Sequence, residues 1–289
     1  MTSRLVAAIE FGARFALNRR GLASRRVSTS IGALHVYDGP GRGPLPTTVL
    51  LHGLGSTAST FGPVLDRLLG HCQRVVAPDL PGHGFSATPV GPLTAERLLT
   101  AVSELLDGLG GPIALVGTSL GGGVALRYAA QRPETVLALA LISPAGAQLP
   151  EGEWDALLRS FAIDSPAKAR DLLGRLYHQP PWYAPALAPG VRYLMNRSAV
   201  RDLLASATPA DLPDPQSLRA LTMPVLLLWG EGERLLPASS LAYFRDHLPS
   251  HAVIEQPPGF GHCPHLEHPG RLAERLVDFL RSSLRVQPA

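Results

Sequence analysis

The chain has 289 residues, of which 45% are hydrophobic and 17% charged, so it can bury a large core and lacks the composition of a disordered protein. Its formal net charge is +3, but residues 1–26 carry six arginines against one glutamate, and the other residues together carry a net charge of −2. A basic excess confined to one terminal segment gives no indication of nucleic-acid binding by the main body. No apolar run reaches the roughly 18 residues that a membrane-spanning helix needs.

The basic segment, residues 1–26, has the pattern of an amphipathic helix. Leu5, Ile9 and Phe15 fall near one helical face, and arginines occupy the other sides. Such a helix can make peripheral contact with an anionic membrane, or it can pack on the body as an ordinary solvated helix. Because Glu10 and an arginine interrupt every apolar stretch, the segment is not a secretory signal. We therefore expect a cytoplasmic protein, with membrane association left open; the sequence does not predict an oligomeric state.

The chain then alternates between strand-like and helix-like segments. Two alternating stretches around Val27–Val36, separated by Ile31-Gly32, predict an antiparallel hairpin at a sheet edge. Amphipathic stretches such as Thr94–Leu109 and Leu120–Gln131 are long enough for crossover helices between strands. Short apolar runs predict the following buried strands: Thr48–Leu51, Val75–Ala77, Ile113–Val116, Val136–Ile142, Val225–Trp229 and Ala252–Ile254. This alternation predicts an α/β fold whose sheet is mostly parallel and covered by helices on both faces.

One long interval interrupts this alternation. The 79 residues between Ser143 and Met223 far exceed what a single crossover needs, and long connections in compact domains usually carry function. We interpret residues 146–215 as a helical cap inserted after the sixth strand, and residues 1–145 and 216–289 as the core. Aromatic side chains of the cap would form an apolar wall over a pocket, unless they only hold the cap together. The candidates for this wall are Trp154, Phe161, Trp182 and Tyr183.

A glycine-flanked serine follows the predicted strand in the sequence IALVGTSLGGG, residues 113–123. A serine at the apex of a strand-to-helix turn needs almost no side chain two residues before and two residues after it, and Gly117 and Gly121 meet that need. The turn would expose the Ser119 hydroxyl as a nucleophile and leave the N–H of Leu120 free to donate to an oxyanion. The alternative is a glycine-rich connection with a chance serine.

A serine nucleophile needs a histidine base, and the histidine needs a carboxylate, so the other motifs decide between these interpretations. Five motifs, spread over nearly the whole chain, resemble those of the α/β hydrolase superfamily. They are His52-Gly53-Leu54-Gly55, Asp79-Leu80-Pro81-Gly82-His83-Gly84, the Ser119 turn, Trp229-Gly230-Glu231-Gly232-Glu233 and Gly261-His262-Cys263-Pro264. The GTSLGG turn together with Pro144-Ala145-Gly146 is similar to the capped monoacylglycerol lipase branch and its bacterial esterase and lipase relatives. This resemblance implies an eight-stranded, mostly parallel sheet with a cap after strand 6.

The resemblance also implies roles for single residues. His262 matches the histidine of the family's GHxP loop and is the expected base. Glu233 stands where relatives usually have an aspartate, and we expect it to be the acid in preference to Glu231, because a glutamate keeps the carboxylate. The backbone N–H groups of Leu54 and Leu120 are the expected oxyanion donors.

His52 and Gly53 precede Leu54 at the end of the third predicted strand, and we assign both to the substrate pocket. Cys72 and Cys263 do not have the spacing of a metal site or of a disulfide framework. The expected chemistry requires neither a metal nor an organic cofactor.

The predicted activity is hydrolysis of carboxylic esters through an acyl-enzyme. The apolar cap and weakly charged body favour uncharged small-molecule esters with short to medium acyl chains, or monoacylglycerols. A carbon–carbon hydrolase of ring-cleavage products and an acyltransferase are alternatives on the same fold. A non-catalytic binding module is the alternative from another class, since a fold alone does not establish activity.

Overall fold

The sheet of the protein has eight strands in the computed structural model, which describes residues 2–285. Met1, in the predicted N-terminal segment, and residues 286–289, in the predicted core, lie outside the described residues. The strands are β1 (Ala23–Thr29), β2 (Gly32–Pro40), β3 (Thr48–Leu51), β4 (Arg74–Pro78), β5 (Ile113–Thr118), β6 (Val136–Ile142), β7 (Val225–Leu228) and β8 (Val253–Glu255). Their spatial order is β1-β2-β4-β3-β5-β6-β7-β8.

The predicted hairpin and the predicted mostly parallel sheet are both confirmed. Strand β1 pairs with β2 in antiparallel orientation, with Val27 opposite Leu34, and lies at the edge of the sheet. Strand β2 is also antiparallel to β4, and every later pair is parallel. The hairpin extends further than predicted, because its pairing continues to Ala23 opposite Asp38, beyond the alternating apolar residues. Strand β2 also pairs with β4 as far as Pro40, and Arg74 of β4 donates two 2.8 Å hydrogen bonds to Asp38.

Helices connect the strands and cover both faces of the sheet. They are α1 (Thr2–Arg19), α2 (Gly62–Leu68), α3 (Ala95–Asp107), α4 (Leu120–Gln131), α5 (Glu153–Ser160), α6 (Pro166–Leu176), α7 (Ala184–Met195), α8 (Ser198–Ser206), α9 (Pro215–Arg219), α10 (Ala238–His247), α11 (Pro264–Glu267) and α12 (Pro269–Leu284). Within residues 2–285, no helix combines the length and the apolar character needed to cross a membrane.

Two apolar layers lie on opposite faces of the sheet. Successive residues of a strand point to opposite faces, so Val49 and Leu51 of β3 pack in the layer that contains α3 and α4. Leu50, between them, packs in the layer that contains α2 and α12. Burial on both faces explains why the central strands are continuous apolar runs.

The helices α5 to α8 lie between β6 and α9, and α6, α7 and α8 contribute to a separate apolar cluster, which includes Leu172, Leu173 and Val200. This cluster is seated on the loops that follow β3 and β4. A side chain at Gly55 would collide with Met195, and Arg197 lies 3.4 Å from the carbonyl oxygen of Gly84. These helices therefore cover the carboxyl edge of the sheet, and the cap boundaries at residues 146 and 215 stay a prediction.

Candidate active site

Ser119 lies at a tight turn between β5, which ends at Thr118, and α4, which begins at Leu120. Its backbone has φ 52° and ψ −120°, a conformation that a non-glycine residue rarely adopts. A Cβ at Gly117 would lie 2.4 Å from the carbonyl oxygen of Gly121, and a Cβ at Gly121 would lie 2.3 Å from that of Leu51. The two glycines therefore let the chain turn sharply enough to present the Ser119 side chain at the carboxyl edge of the sheet.

His262 and Glu233 form a buried pair at the same edge. Glu233 follows β7 and His262 follows β8, and Nδ1 of His262 lies 2.7 Å from Oε2 of Glu233. The second carboxylate oxygen accepts hydrogen bonds from the N–H groups of Leu235 at 2.7 Å and Leu236 at 3.0 Å. Glu231, the competing candidate for the acid, is exposed. The structure thus brings Glu233, and not Glu231, to the imidazole.

The surroundings of Glu233 keep its carboxylate ionised. Burial alone would raise the pKa of this group, but the charge of His262 and the hydrogen bonds from His262 and the Leu236 N–H lower it below the usual range. An ionised acceptor at Nδ1 fixes the imidazole in the tautomer whose Nε2 can accept a proton.

Two backbone N–H groups near Ser119 are the candidate donors to an oxyanion. Leu120 is the first residue of α4, so its N–H has no acceptor within the helix. Leu54 lies in the loop after β3 and lines the same cavity as Ser119. Gly53 lies directly against the serine, since a Cβ there would be 3.2 Å from the Cβ of Ser119.

Two buried histidines hold the loop that carries Leu54. His52 accepts a hydrogen bond from the Leu80 N–H at 2.9 Å, and His83 accepts one from the Gly55 N–H at 3.2 Å. Burial and the neighbouring His52 lower the pKa of His83 to about 3, and burial also lowers that of His52, so both rings are neutral acceptors. Contrary to their assignment to the pocket, neither His52 nor Gly53 lines the cavity, and the His52 ring makes its hydrogen bonds with the loop backbone.

A cavity of about 160 Å³ opens beside Ser119 between the core and the cap. Trp154 and Phe161 of the predicted aromatic wall line this cavity. Most of the remaining wall consists of aliphatic side chains from α3, α4, α5, α8 and the linker to α9. They include Leu98, Leu99, Val124, Leu157, Leu203 and Leu212.

Trp182 and Tyr183 do not line the cavity, so their assignment to the pocket is wrong. The Trp182 side chain is 92% exposed, and the two rings pack on each other with their centroids 5.8 Å apart. The physical reason is the direction of the connection between α6 and α7. It borders a second surface groove, which Tyr183 lines together with His178 and His268 and which is separate from the cavity beside Ser119.

The segment of the chain that carries these site residues matches a known protein family. The profile of the alpha/beta hydrolase family matches residues 48–275, which include the Ser119 turn, Glu233 and His262. The chain belongs to the alpha/beta hydrolase family.

Similar proteins narrow the class of this hydrolase. A pimeloyl-[acyl-carrier protein] methyl ester esterase of Xanthomonas campestris pv. campestris (strain B100) is 32% identical over 250 residues, which cover 81% of this chain and 95% of that protein. A solved membrane phospholipase A, described as a bacterial virulence factor, is 28% identical with a TM-score of 0.79, covering 99% of this chain and 93% of the other. The solved 2-hydroxy-6-oxo-6-phenylhexa-2,4-dienoate hydrolase of Rhodococcus sp. strain RHA1 is 26% identical with a TM-score of 0.77, covering 90% and 98%. This chain is a carboxylic ester hydrolase.

Sequence reasoning missed two residues of this hydrolase that connect the cap to the His262 and Glu233 loops. The Glu267 carboxylate accepts hydrogen bonds from the N–H groups of His178 at 2.7 Å and Gly261 at 2.9 Å, so it ties the end of α6 to the residue before His262. Arg234, next to Glu233, donates to the carbonyl oxygen of Gly174 at 2.7 Å. Glu267 lies outside the five motifs, and the signal for Arg234 is its position directly after the candidate acid Glu233, at the start of the Arg-x-x-Pro pattern that ends at Pro237.

We expect Glu267→Gln to lower kcat for ester hydrolysis about tenfold while KM changes little, because the variant loosens the loop that orients His262 without altering the cavity. Steady-state kinetics with a soluble ester measure both values. Glu274→Gln, an exposed position on α12, is the matched control and should behave as wild type. Equal kcat values for the two variants would show that Glu267 does not position the histidine.

Proposed function

We propose that this hydrolase cleaves carboxylic esters through an acyl-enzyme formed on Ser119, with His262 as the base and Glu233 as the acid of a Ser-His-Glu triad. The observation that carries the proposal is the buried 2.7 Å contact between His262 and Glu233 at the sheet edge where the strained turn presents Ser119. A second link supports it. Leu236, whose N–H donates to Glu233, lines the same cavity as Ser119.

The proposed reaction has two halves, acylation and deacylation, and in each half His262 takes up one proton and then gives it away. Nε2 of His262 takes the proton of the Ser119 hydroxyl as the oxygen attacks the ester carbonyl, and returns it to the departing alcohol. Water then attacks the acyl-enzyme, gives its proton to the same nitrogen, and releases the acid when the proton returns to Ser119. The N–H groups of Leu54 and Leu120 hold the oxyanion, and each such donor typically contributes about 10²- to 10³-fold in rate.

The cavity supports esters with short to medium acyl chains or monoacylglycerol-like substrates. Its lining is apolar for most of its surface, so it favours an alkyl chain over a sugar or a peptide. The similar proteins support this range, since one is named as a pimeloyl-[acyl-carrier protein] methyl ester esterase and another as a membrane phospholipase A. Carbon–carbon hydrolysis stays an alternative because a similar structure is named as a dienoate hydrolase.

A covalent probe and a substrate panel test the proposal. We expect a fluorophosphonate to label the purified protein, with the adduct on the peptide that contains Ser119. The panel contains methyl esters of increasing acyl length, a monoacylglycerol and a ring-cleavage dienoate, with and without an acceptor alcohol. Ester hydrolysis without ester exchange supports the proposal, and exchange products indicate an acyltransferase. A folded protein that neither reacts with the probe nor turns over any ester is a binding module, and the proposal fails.

We further propose that α1 makes peripheral contact with an anionic membrane surface. Leu5, Ile9 and Phe15 are each more than half exposed on this helix, although large apolar side chains are usually buried. Other side chains of α1 hold it to the body: Leu17 is buried, Val6 approaches Gly190 of α7, and Phe11 packs on Phe85. The arginines of residues 1–26 supply the positive charge that attracts anionic lipids.

We expect the double variant Ile9→Ser with Phe15→Ser to bind vesicles of phosphatidylglycerol and phosphatidylcholine about tenfold more weakly than wild type, because two exposed apolar side chains are lost. Vesicle flotation measures the bound fraction. Val253→Ser removes an exposed apolar residue from β8, at the other edge of the sheet, and should leave binding unchanged. If the double variant binds as well as wild type, α1 does not form the contact.

A further inference from the structure

The cavity beside Ser119 has two charged residues in its mostly apolar lining. Among the described residues that line it, Arg127 is the only cation and Asp211 the only anion. The Asp211 carboxylate already accepts hydrogen bonds from the N–H of Thr208 at 2.8 Å and from the hydroxyl of Thr208 at 2.9 Å. Arg127 is therefore the group to consider for a charged ligand.

Arg127 and the reacting serine lie at different positions along one wall of the cavity, which α4 forms. Leu120, Val124 and Arg127 are spaced by four and three residues, so they share one face of α4, and all three line the cavity. The helix rises about 10 Å from Leu120 to Arg127, which is the length of an extended chain of about eight carbon atoms. An acyl chain whose carbonyl lies at Ser119 can thus follow this face and bring its other end to Arg127.

The guanidinium of Arg127 can accept a further anionic partner. Its Nη2 donates to Oε2 of Glu96 at 2.9 Å, and a guanidinium carries five N–H donors in total. The Arg127 side chain is 20% exposed, whereas that of Glu96 is 70% exposed. An ion pair with so exposed a partner contributes little, so a ligand carboxylate can share or replace Glu96 at small cost.

We propose that Arg127 binds a carboxylate at the far end of the acyl chain, so that this hydrolase prefers half-esters of dicarboxylic acids of medium chain length. The inference rests on the proposed ester hydrolysis at Ser119 and narrows its substrate class. The proposed substrates carry a charge, whereas the sequence favoured uncharged esters. That expectation rested on the weak overall charge of the body, which does not reveal a single cation in the cavity. The apolar walls bind the methylene chain, and Arg127 selects its terminal group.

The test compares two methyl esters of equal chain length, monomethyl suberate and methyl octanoate, which differ in the presence of a terminal carboxylate. We expect wild type to have the higher kcat/KM for monomethyl suberate, and Arg127→Gln to lower the ratio of the two kcat/KM values about tenfold. Both esters share the same methylene chain, so the ratio cancels any effect of Arg127→Gln on the cavity wall that both chains contact. Glu96→Gln removes the competing carboxylate and should raise the ratio.

Arg132→Gln is the matched control, because Arg132 is an exposed arginine at the end of the same helix and does not line the cavity. It should leave the ratio unchanged. A wild-type preference for methyl octanoate, or an unchanged ratio in Arg127→Gln, overturns this inference and leaves ester hydrolysis standing. If wild type hydrolyses neither ester nor any other in the panel, the proposed function fails, and this inference fails with it.

Discussion

Replacing Glu233 with glutamine is expected to lower kcat for ester hydrolysis by about 10⁴-fold, the typical effect of removing the carboxylate from a serine hydrolase triad. An amide at this position can donate to Nδ1 of His262, which favours the tautomer whose Nε2 carries a proton and cannot serve as the base. The pKa of the Glu233 carboxyl is lowered by His262, so the wild-type group is ionised at neutral pH and the variant removes a full charge. Single-turnover and steady-state kinetics with one ester measure the loss.

Glu231→Gln is the matched control for this prediction. Glu231 lies two residues away in the same loop and is exposed, so its charge is screened by solvent and its loss should change kcat less than twofold. Thermal unfolding of both variants shows whether the fold is kept. A collapse of activity in Glu231→Gln alone would mean that the acid assignment is wrong.

The strands and the serine turn could be predicted from the sequence because their signals are local. Continuous apolar runs such as Val136–Ile142 mark strands buried on both faces, and the structure has β6 over the same residues. The spacing of Gly117 and Gly121 around Ser119 predicted the turn, since only a hydrogen side chain fits so close to a neighbouring backbone. Where one residue type satisfies a steric need, the sequence predicts the geometry.

The lining of the cavity could not be predicted in the same way, because it depends on how the cap helices pack. Trp154 and Trp182 are both aromatic residues of the cap, yet one lines the cavity and the other is almost fully exposed. Their difference comes from the direction of the connection between α6 and α7, which no periodicity encodes. Arg127 likewise has the sequence pattern of an ordinary surface arginine on α4, and only the cap above it places it at a cavity.

The second large effect is a loss of stability, which we expect from a substitution in the tight backbone of the serine turn. Gly121→Ala is expected to lower the free energy of unfolding by about 3 kcal/mol or more, because the added Cβ would lie 2.3 Å from the carbonyl oxygen of Leu51 and 2.6 Å from that of His52. Those atoms belong to backbone held in the sheet and in the Leu54 loop, so neither can move without breaking other contacts. Urea unfolding measures the change in the free energy of unfolding. A variant that is recovered only as unfolded protein would show the largest loss of stability.

Gly174→Ala is the matched control for the turn. Gly174 lies within α6, where an added Cβ meets no atom within 4 Å, so alanine should stabilise the protein by about 0.5–1 kcal/mol through its higher helix propensity. The two substitutions add the same methyl group and should change stability in opposite directions. If Gly121→Ala is instead as stable as wild type, the chain around Ser119 is less tightly folded than the structure describes, and the strained presentation of the serine hydroxyl is not required.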